Sequence, residues 1–245
     1  MLIQKETKVG EVVAENFHAA KVFESHGLDF CCGGKRTIED ACKTKGVDTD
    51  SLLAELEKLN ANNPSSTHFD KWEADFLTDY IINNHHAYVN NAVSTIEHHL
   101  QKVVSAHGAK HPEVCGIESI FTELKNELLE HMAKEERMLF PYIKKLSFAI
   151  KNSIEMPAAP FGSVDNPIKV MESEHDNAGL LLKKINALSD SYTPPQDACA
   201  TFRVLYGELR EFEEDLHVHI HLENNVLFPK AKTMEEKLNK VYTTL

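Results

Sequence analysis

The sequence predicts an all-α protein, with a small N-terminal helical domain followed by an up-down-up-down four-helix bundle. Apolar residues recur at spacings of three and four along most of the chain, which is the period of a helix with one buried face. No segment alternates polar and apolar side chains as a half-buried strand would. The 10 glycines and 9 prolines fall in clusters, so they divide the chain into long helical stretches.

The first 60 residues are predicted to form the small domain. Its helices are predicted over residues 7–25, 36–44 and 48–59. The first helix ends before Gly27, because glycine suits a helix C-terminal cap. Asp48 and its neighbours supply N-cap side chains for the third helix. A linker rich in asparagine, serine and proline is predicted over residues 61–70.

Residues 71–245 are predicted to form the bundle. Four long segments each keep a line of residues at spacings of three and four, which we call the core stripe. These segments run over residues 72–103, 117–142, 168–185 and 202–226. A sustained stripe of this kind is the buried face of a helix packed at a shallow angle on its neighbours. Four such helices with modest loops form an up-down-up-down bundle.

Composition limits the classes of function. The 38 acidic and 26 basic residues give a formal net charge of -12, which argues against nucleic acid and anionic membranes as partners, since both need a basic surface. No run approaches the ~18 consecutive apolar residues of a membrane span. Residues 1–15 have no apolar signal core, so a cytoplasmic location is expected. Five cysteines in a chain of this length predict reduced thiols rather than a disulfide framework.

Six positions of the core stripe hold polar side chains. They are His86, His131, Glu135, His175, His219 and Glu223. Burying an unpaired carboxylate or imidazole is costly, and burying two carboxylates together costs more. The simplest account is that all six converge on a shared cation. The alternative is six polar core residues that satisfy one another.

The duplication of the pattern favours the metal interpretation. Each copy has a His-x-x-x-Glu pair, with both side chains on one helix face, followed by Leu-Phe-Pro, and the two pairs lie 88 residues apart. The lone histidines, His86 and His175, lie 89 residues apart. Two helix pairs of one design therefore predict two metal positions.

The ligand types narrow the choice of metal. Four imidazoles and two carboxylates, without sulfur, suit iron or manganese better than a structural zinc site. If both glutamates bridge, each ion has two histidines and two carboxylate oxygens. That leaves room for a bridging oxide or hydroxide and an open position, which indicates small-molecule chemistry at the metal.

Several residues close to these positions leave alternatives open. The first ligand is His85 or His86, and we favour His86 because it lies on the core stripe. Glu127 and Glu174 are candidates for orienting a ligand or carrying a proton, although solvated helix glutamates are the alternative. His217 and His221 point away from the stripe and are predicted to lie on the surface or beside the centre. The other histidines of this part of the chain are predicted to be surface or loop residues: His98, His99, His107 and His111.

The ligand order, with a lone histidine and a His-x-x-x-Glu pair in each half, resembles the hemerythrin-like domain. Residues 28–35 (LDFCCGGK), 171–176 (MESEHD) and 222–229 (LENNVLFP) resemble the repair-of-iron-centres family, the YtfE/ScdA group, across essentially the whole chain. The resemblance implies a ScdA-type N-terminal domain and a hemerythrin-like bundle. It also implies two non-haem iron ions with a bridging oxo or hydroxo group, held by the six residues above. The family is associated with recovery of iron–sulfur enzymes after damage by nitric oxide or peroxide.

Cys31 and Cys32 are adjacent and precede two glycines, Lys35 and Arg36. Adjacent cysteines lack the Cys-x-x-Cys spacing of a usual chelate, and a disulfide between neighbours is strained. A glycine-rich turn into a helix N-terminus beside two cations lowers the pKa of a thiol, whereas the alternative is two small buried residues. The resemblance favours a functional pair, used in redox transfer, iron handling or partner contact. The other cysteines are predicted to be structural: Cys42, Cys115 and Cys199.

The leading hypothesis is a cytoplasmic stress-response protein that repairs iron–sulfur clusters by iron donation, by redox turnover of nitrogen oxides or peroxide, or by both. Whether such turnover makes it an enzyme stays open. The predicted partners are damaged iron–sulfur proteins and small molecules such as nitric oxide or oxygen species, and a homodimer is a possible assembly. One alternative is a hemerythrin-like protein that binds or senses oxygen or nitric oxide, although reversible oxygen binding requires no thiols. Another is a bundle whose metal only holds helices together.

Overall fold

The computed structural model describes residues 3–62, 68–155 and 159–243, and within these ranges it has no named strand. In chain order the α-helices are α1 (Val9–Glu15), α2 (Ala19–Ser25), α3 (Ile38–Lys45), α4 (Thr49–Asn62), α5 (Ala74–Tyr80), α6 (Ala87–His107), α7 (Glu113–Lys134), α8 (Phe140–Asn152), α9 (Asp165–Leu188), α10 (Ala200–Leu222) and α11 (Phe228–Thr243). The all-α prediction is confirmed. No described helix is both long and apolar enough to cross a membrane.

In the part of the chain that the structure describes, three π-helical turns interrupt the long helices. They are Ile81–His86 between α5 and α6, Glu135–Leu139 between α7 and α8, and Glu223–Leu227 between α10 and α11. Each of them begins or ends at a predicted metal ligand. π turns are rare and occur frequently at functional sites, so their positions mark the same residues that the ligand pattern marks.

The π turns shift the core stripe, and the predicted stripe is wrong beside them. Counting back from His86 in steps of four and three places Asp79 on the predicted stripe, but Asp79 is exposed and Ile81 is buried. The next position after Glu135 at such a spacing is Met138, but it is 49% exposed and Leu139 is buried. The physical reason is that a π turn has more residues than an α turn, so a strict spacing of three and four loses register on crossing it.

Contacts divide the chain into two compact units. Unit one comprises Met1–Asp79, Tyr142–Asn166 and His217–Leu245, and unit two comprises Tyr80–Pro141 and Pro167–Leu216. Both units are built from segments that are distant in sequence. The predicted boundaries at residues 60 and 71 stay a prediction, and the predicted linker lies partly outside the described residues, which omit 63–67.

Unit two is a helical bundle with an apolar core. Helices α6, α7, α9 and α10 all contribute to it, with Val93, Leu124, Leu182 and Leu209 as examples. Phe121 and Phe212 pack edge to face within the core, with their ring centroids 5.5 Å apart. The core side chains recur at spacings of three and four, as the stripe predicted for α6, α7, α9 and α10.

Unit one contains the N-terminal helices α1 to α4, which share a core with Ile220 of α10. The single helix predicted over residues 7–25 is wrong, because α1 ends at Glu15 and α2 begins at Ala19. Asn16 is buried between them, and its Oδ1 accepts a hydrogen bond from the His18 backbone N–H at 3.1 Å. Such a local bond competes with the helical backbone pattern.

Two predicted helix ends in unit one are confirmed. Gly27 follows α2 with a φ of 65°, a left-handed conformation that glycine adopts at low cost. Asp48 precedes α4, and its Oδ1 accepts a hydrogen bond from the Ser51 backbone N–H at 2.7 Å, as an N-cap residue does.

Candidate metal centre

Three predicted ligands lie together in unit two. His131 is in the last turn of α7, Glu135 begins the π turn that follows, and His175 lies on α9. One potential ligand atom from each of them lies within 4.8 Å of the others. The Nε2 atom of His131 is 3.0 Å from Nε2 of His175 and 3.4 Å from Glu135 Oε2. All three side chains are buried, so their polar atoms face one small volume.

His86 approaches the same carboxylate, whereas His85 does not share this arrangement. The Nε2 atom of His86 lies 3.4 Å from Glu135 Oε2. His85 is also buried, but its Nδ1 lies 2.9 Å from Asp215 Oδ1. The sequence left the choice between these adjacent histidines open, and the structure gives each of them a different carboxylate neighbour.

Hydrogen bonds to carboxylates determine the tautomers of two of the histidines. His86 Nδ1 donates to Glu136 Oε1 at 2.8 Å, and His131 Nδ1 donates to Glu174 Oε2 at 2.9 Å. A neutral imidazole that donates through Nδ1 presents a lone pair at Nε2. Both Nε2 atoms, each 3.4 Å from Glu135 Oε2, therefore carry a lone pair.

Glu135 is the side chain of the site whose burial costs the most free energy. Its side chain is fully buried, and neither of its oxygens accepts a hydrogen bond from any residue that the structure describes. A buried ionised carboxylate that faces lone pairs is strongly disfavoured unless a cation offsets it. Nitrogen and oxygen donors without sulfur suit first-row transition metals, so the residues present fit a metal ion.

His219 and Glu223 form the corresponding pair in unit one. His219 lies in the last turn of α10, and Glu223 begins the third π turn. The Nε2 atom of His219 is 3.0 Å from Glu223 Oε1, and both side chains are buried. The predicted His-x-x-x-Glu pair is thus present on one helix face, as the spacing of four requires.

The two glutamates predicted to support the centre differ in position. Glu174 accepts hydrogen bonds from His131 Nδ1 and, at 2.7 Å, from Lys134 Nζ. The bond from His131, followed by that from Lys134, lowers the pKa of Glu174 to about 2. Glu127 is exposed and accepts a hydrogen bond from Asn177 Nδ2 at 2.6 Å. Sequence reasoning missed Glu136, which the pattern does not distinguish from other helical glutamates.

His221 does not lie on the surface, which is one of the two positions predicted for it, because its side chain is completely buried. Its ring lies 5.6 Å from that of Phe30, its Nδ1 accepts a hydrogen bond from Asn225 Nδ2 at 3.2 Å, and burial lowers its pKa to about 4. The reason is that Phe30, which covers it, is distant in sequence, so the local pattern gives no sign of burial. His217 is partly exposed, with Nδ1 3.4 Å from Glu24.

Cys31 and Cys32 lie in unit one where a short 3-10 turn begins. Cys31 is buried, and its Sγ lies 3.2 Å from Asp29 Oδ1 and 3.9 Å from Cys32 Sγ. The neighbouring Cys32 thiol, then burial and Asp29, raise the pKa of Cys31 well above its usual value. The expectation of a lowered pKa is therefore wrong for Cys31, because Asp29 is in contact with it while the cationic residues that follow are exposed.

The three cysteines predicted to be structural fall into two groups. Cys42 is buried in the core of unit one. Cys115 and Cys199 are exposed, so a packing role does not apply to them. Cys199 Sγ lies 3.2 Å from His107 Nε2.

Comparison with known proteins defines first the class and then the family. Residues 77–231 match the hemerythrin HHE cation binding domain, and this range includes all six predicted ligands. Residues 5–60 match ScdA_N, a domain of unknown function (DUF542). The bundle is therefore a cation-binding domain of the hemerythrin class.

Whole-length relatives identify the family. An iron–sulfur cluster repair protein YtfE from Enterobacter sp. (strain 638) is 37% identical over 227 residues, which cover 93% of this chain and 97% of the relative. An iron–sulfur cluster repair protein ScdA from Staphylococcus haemolyticus (strain JCSC1435) is 32% identical over 232 residues, which cover 94% and 99%. The chain belongs to the YtfE/ScdA family.

Proposed function

We propose that the protein repairs iron–sulfur clusters damaged by oxidative or nitrosative stress, and that its partners are damaged iron–sulfur proteins of the cytoplasm. The observation that carries this proposal is the whole-length match. Relatives named for cluster repair align with 93–94% of the chain, so the N-terminal domain is included along with the hemerythrin domain. This supports repair over oxygen or nitric oxide carriage, for which a hemerythrin domain alone would suffice.

For the cofactor, the proposal is two non-haem iron ions with a bridging oxo or hydroxo group. Their ligands would be the six residues His86, His131, Glu135, His175, His219 and Glu223. The support is that one cation-binding domain covers all six, that the pattern is duplicated, and that the donors within each unit are buried. Iron bound there would supply a redox-active centre for nitric oxide or peroxide, or a source of iron for a damaged cluster.

The protein's own contribution is to hold the ligands in one orientation and to exclude water. Glu136 and Glu174 accept the Nδ1 protons of His86 and His131, and this keeps both Nε2 atoms available as ligands. The ring of Phe140 stacks on that of His86 at 5.7 Å, which limits rotation of the imidazole. In this proposal, Glu174 is a positioning residue.

Glu174→Gln is expected to weaken iron binding by about tenfold or more, because the amide still accepts a hydrogen bond from His131 but carries no charge to raise the basicity of the imidazole. The measurement is a competition titration with an iron chelator. The matched control is Glu127→Gln, since Glu127 contacts Asn177 instead of a predicted ligand. Equal losses of affinity in the two variants would contradict the role of Glu174.

The repair function is tested with an iron–sulfur hydratase inactivated by nitric oxide. The purified protein is expected to carry about two irons per chain and to restore hydratase activity, whereas iron-free protein is not. A protein that stays folded and free of iron under iron-replete conditions would exclude the proposed centre. An iron-loaded protein that restores nothing, yet binds oxygen reversibly, would favour the carrier alternative.

A further inference from the structure

A separate cluster of metal-binding atoms lies in the N-terminal domain. It consists of Asp29, Cys31 and Cys32, each of which offers one donor atom within 4.8 Å of the others. We propose that these three residues form a binding site for one thiophilic divalent metal ion, such as iron(II) or zinc. This site would be additional to the histidine and glutamate centre, and the proposal does not depend on the repair function.

The positions of the sulfur atoms fit a shared ion. The Sγ atoms of Cys31 and Cys32 are 3.9 Å apart. An ion about 2.3 Å from each sulfur, the usual zinc–thiolate distance, would subtend an S–metal–S angle of about 116° at that separation. This angle lies between the tetrahedral and trigonal values. Adjacent cysteines therefore chelate here without the Cys-x-x-Cys spacing, because the 3-10 turn brings the two thiols to the same side.

Asp29 supplies the third donor. One oxygen of its carboxylate lies within 4.8 Å of both sulfurs, and its Oδ1 is 3.2 Å from Cys31 Sγ. Two thiolates and a carboxylate favour a thiophilic transition metal over calcium or magnesium. Three protein ligands leave a fourth position open to water or to a donor from another molecule, and Cys32 is only partly buried.

The turn is held in place by hydrogen bonds that do not involve a metal. The backbone N–H groups of Cys31, Cys32 and Gly33 all donate to Asp29 Oδ1, at 3.2, 3.0 and 3.1 Å. From the other side, Asn225 Nδ2 donates to the Cys31 carbonyl at 3.0 Å. A site ordered before binding does not have to be ordered by the ion, so less affinity is lost to conformational entropy.

The same bonds disfavour the other use of a thiol pair, an internal disulfide. A disulfide requires the sulfurs at about 2.05 Å and a dihedral near 90°, which adjacent residues reach only by distorting the turn that Asp29 and Asn225 fix. Metal binding requires no such movement. It replaces the two thiol protons, which pass to solvent, with two metal–sulfur bonds.

Cobalt(II) provides a direct test. The full-length protein, with its histidine and glutamate centre already loaded with iron, is titrated with Co²⁺ under anaerobic reducing conditions. We expect sulfur-to-cobalt charge-transfer absorption in the near ultraviolet, saturating at one ion per chain and removed by competing Zn²⁺. A centre made of histidine and glutamate cannot produce this band. If no such band appears in the wild-type protein, the proposal is wrong.

Variants assign the band to the three residues. Cys31→Ser and Cys32→Ser should each abolish it, whereas the matched control Cys115→Ser, at an exposed thiol, should leave it unchanged. Asp29→Asn keeps an acceptor for the three N–H groups but removes the ligand charge, so cobalt affinity should fall by about tenfold or more. A band that persists in the Cys31→Ser/Cys32→Ser protein, or an unchanged affinity in Asp29→Asn, would overturn the proposal. The amount of iron held by the histidine and glutamate centre should be unaffected in every variant, which separates this result from any failure of the repair centre.

Discussion

Glu135→Gln is expected to change stability in opposite directions in the metal-free and the iron-loaded protein. Without metal, the Glu135 carboxylate is fully buried, accepts no hydrogen bond from the described residues, and lies 3.4 Å from Nε2 of both His86 and His131. A neutral amide of the same shape avoids the cost of the buried charge. The free energy of unfolding of the metal-free protein should therefore rise by roughly 1–4 kcal/mol.

With iron bound, the variant is expected to be less stable than the wild type, because the amide is a much weaker ligand than the carboxylate. If iron binds about a thousandfold less tightly to the variant, a saturating iron concentration stabilises it by about 4.1 kcal/mol less than the wild type, which exceeds the gain of the metal-free variant. Iron content after purification should fall accordingly. A metal ligand is thus recognised by a substitution that raises the free energy of unfolding without iron and lowers it with iron. For an ordinary polar core residue, the change would have the same sign in both states.

Urea denaturation with and without an iron chelator measures both effects. The matched control is Glu130→Gln, because Glu130 lies on α7, five residues before Glu135, but its side chain is 75% exposed and forms a surface ion pair with Lys134. Its effect should stay within about 0.5 kcal/mol in both states. A metal-free Glu135→Gln protein less stable than the metal-free wild type would show that the carboxylate is satisfied without a metal.

The spacing of apolar residues was enough to predict the helical fold, because burial of one helix face repeats at a fixed period. It failed where the period changes. Within the π turn Glu135–Leu139, Met138 is exposed and Leu139 is buried, whereas the regular spacing predicts Met138 to be the buried residue. A spacing rule that assumes a regular α-helix cannot predict where such a turn occurs. The break at Asn16 was missed for a related reason, since one side-chain hydrogen bond outweighs an otherwise continuous apolar pattern.

Long-range partners limited what could be predicted about the sites. The i,i+4 pairs were visible in the sequence because both members lie on one helix face. The burial of His221 was not visible, since Phe30 covers it from 191 positions away. In the sequence, Asp29 is distinguished only as part of the family motif LDFCCGGK. Its contact with Cys31 depends on a turn whose geometry the residue types alone do not define.

Gly34→Ala is expected to destabilise the protein by about 1–3 kcal/mol, the usual cost of overpacking. A Cβ atom at this position would clash with Asn225 Oδ1 and lie 2.8 Å from Asn225 Cγ. The Asn225 side chain cannot move aside without loss, because its Nδ2 donates to the carbonyls of Phe30 and Cys31. The added methyl group must therefore either shift the turn that carries the two cysteines or break these hydrogen bonds.

A double-mutant cycle and an internal control test this explanation. Asn225→Ala alone should cost about 1–2 kcal/mol for its lost hydrogen bonds, but Gly34→Ala should add little to it, because the atoms that clash are gone. Gly207→Ala is the matched control, since its Cβ would meet nothing within 4 Å in an exposed part of α10. It should stabilise the protein by about 0.5–1 kcal/mol through helix propensity. Additive costs at Gly34 and Asn225 would contradict the clash, and the same alanine substitution should have opposite signs at the two glycines because only one of them has a fixed side chain against it.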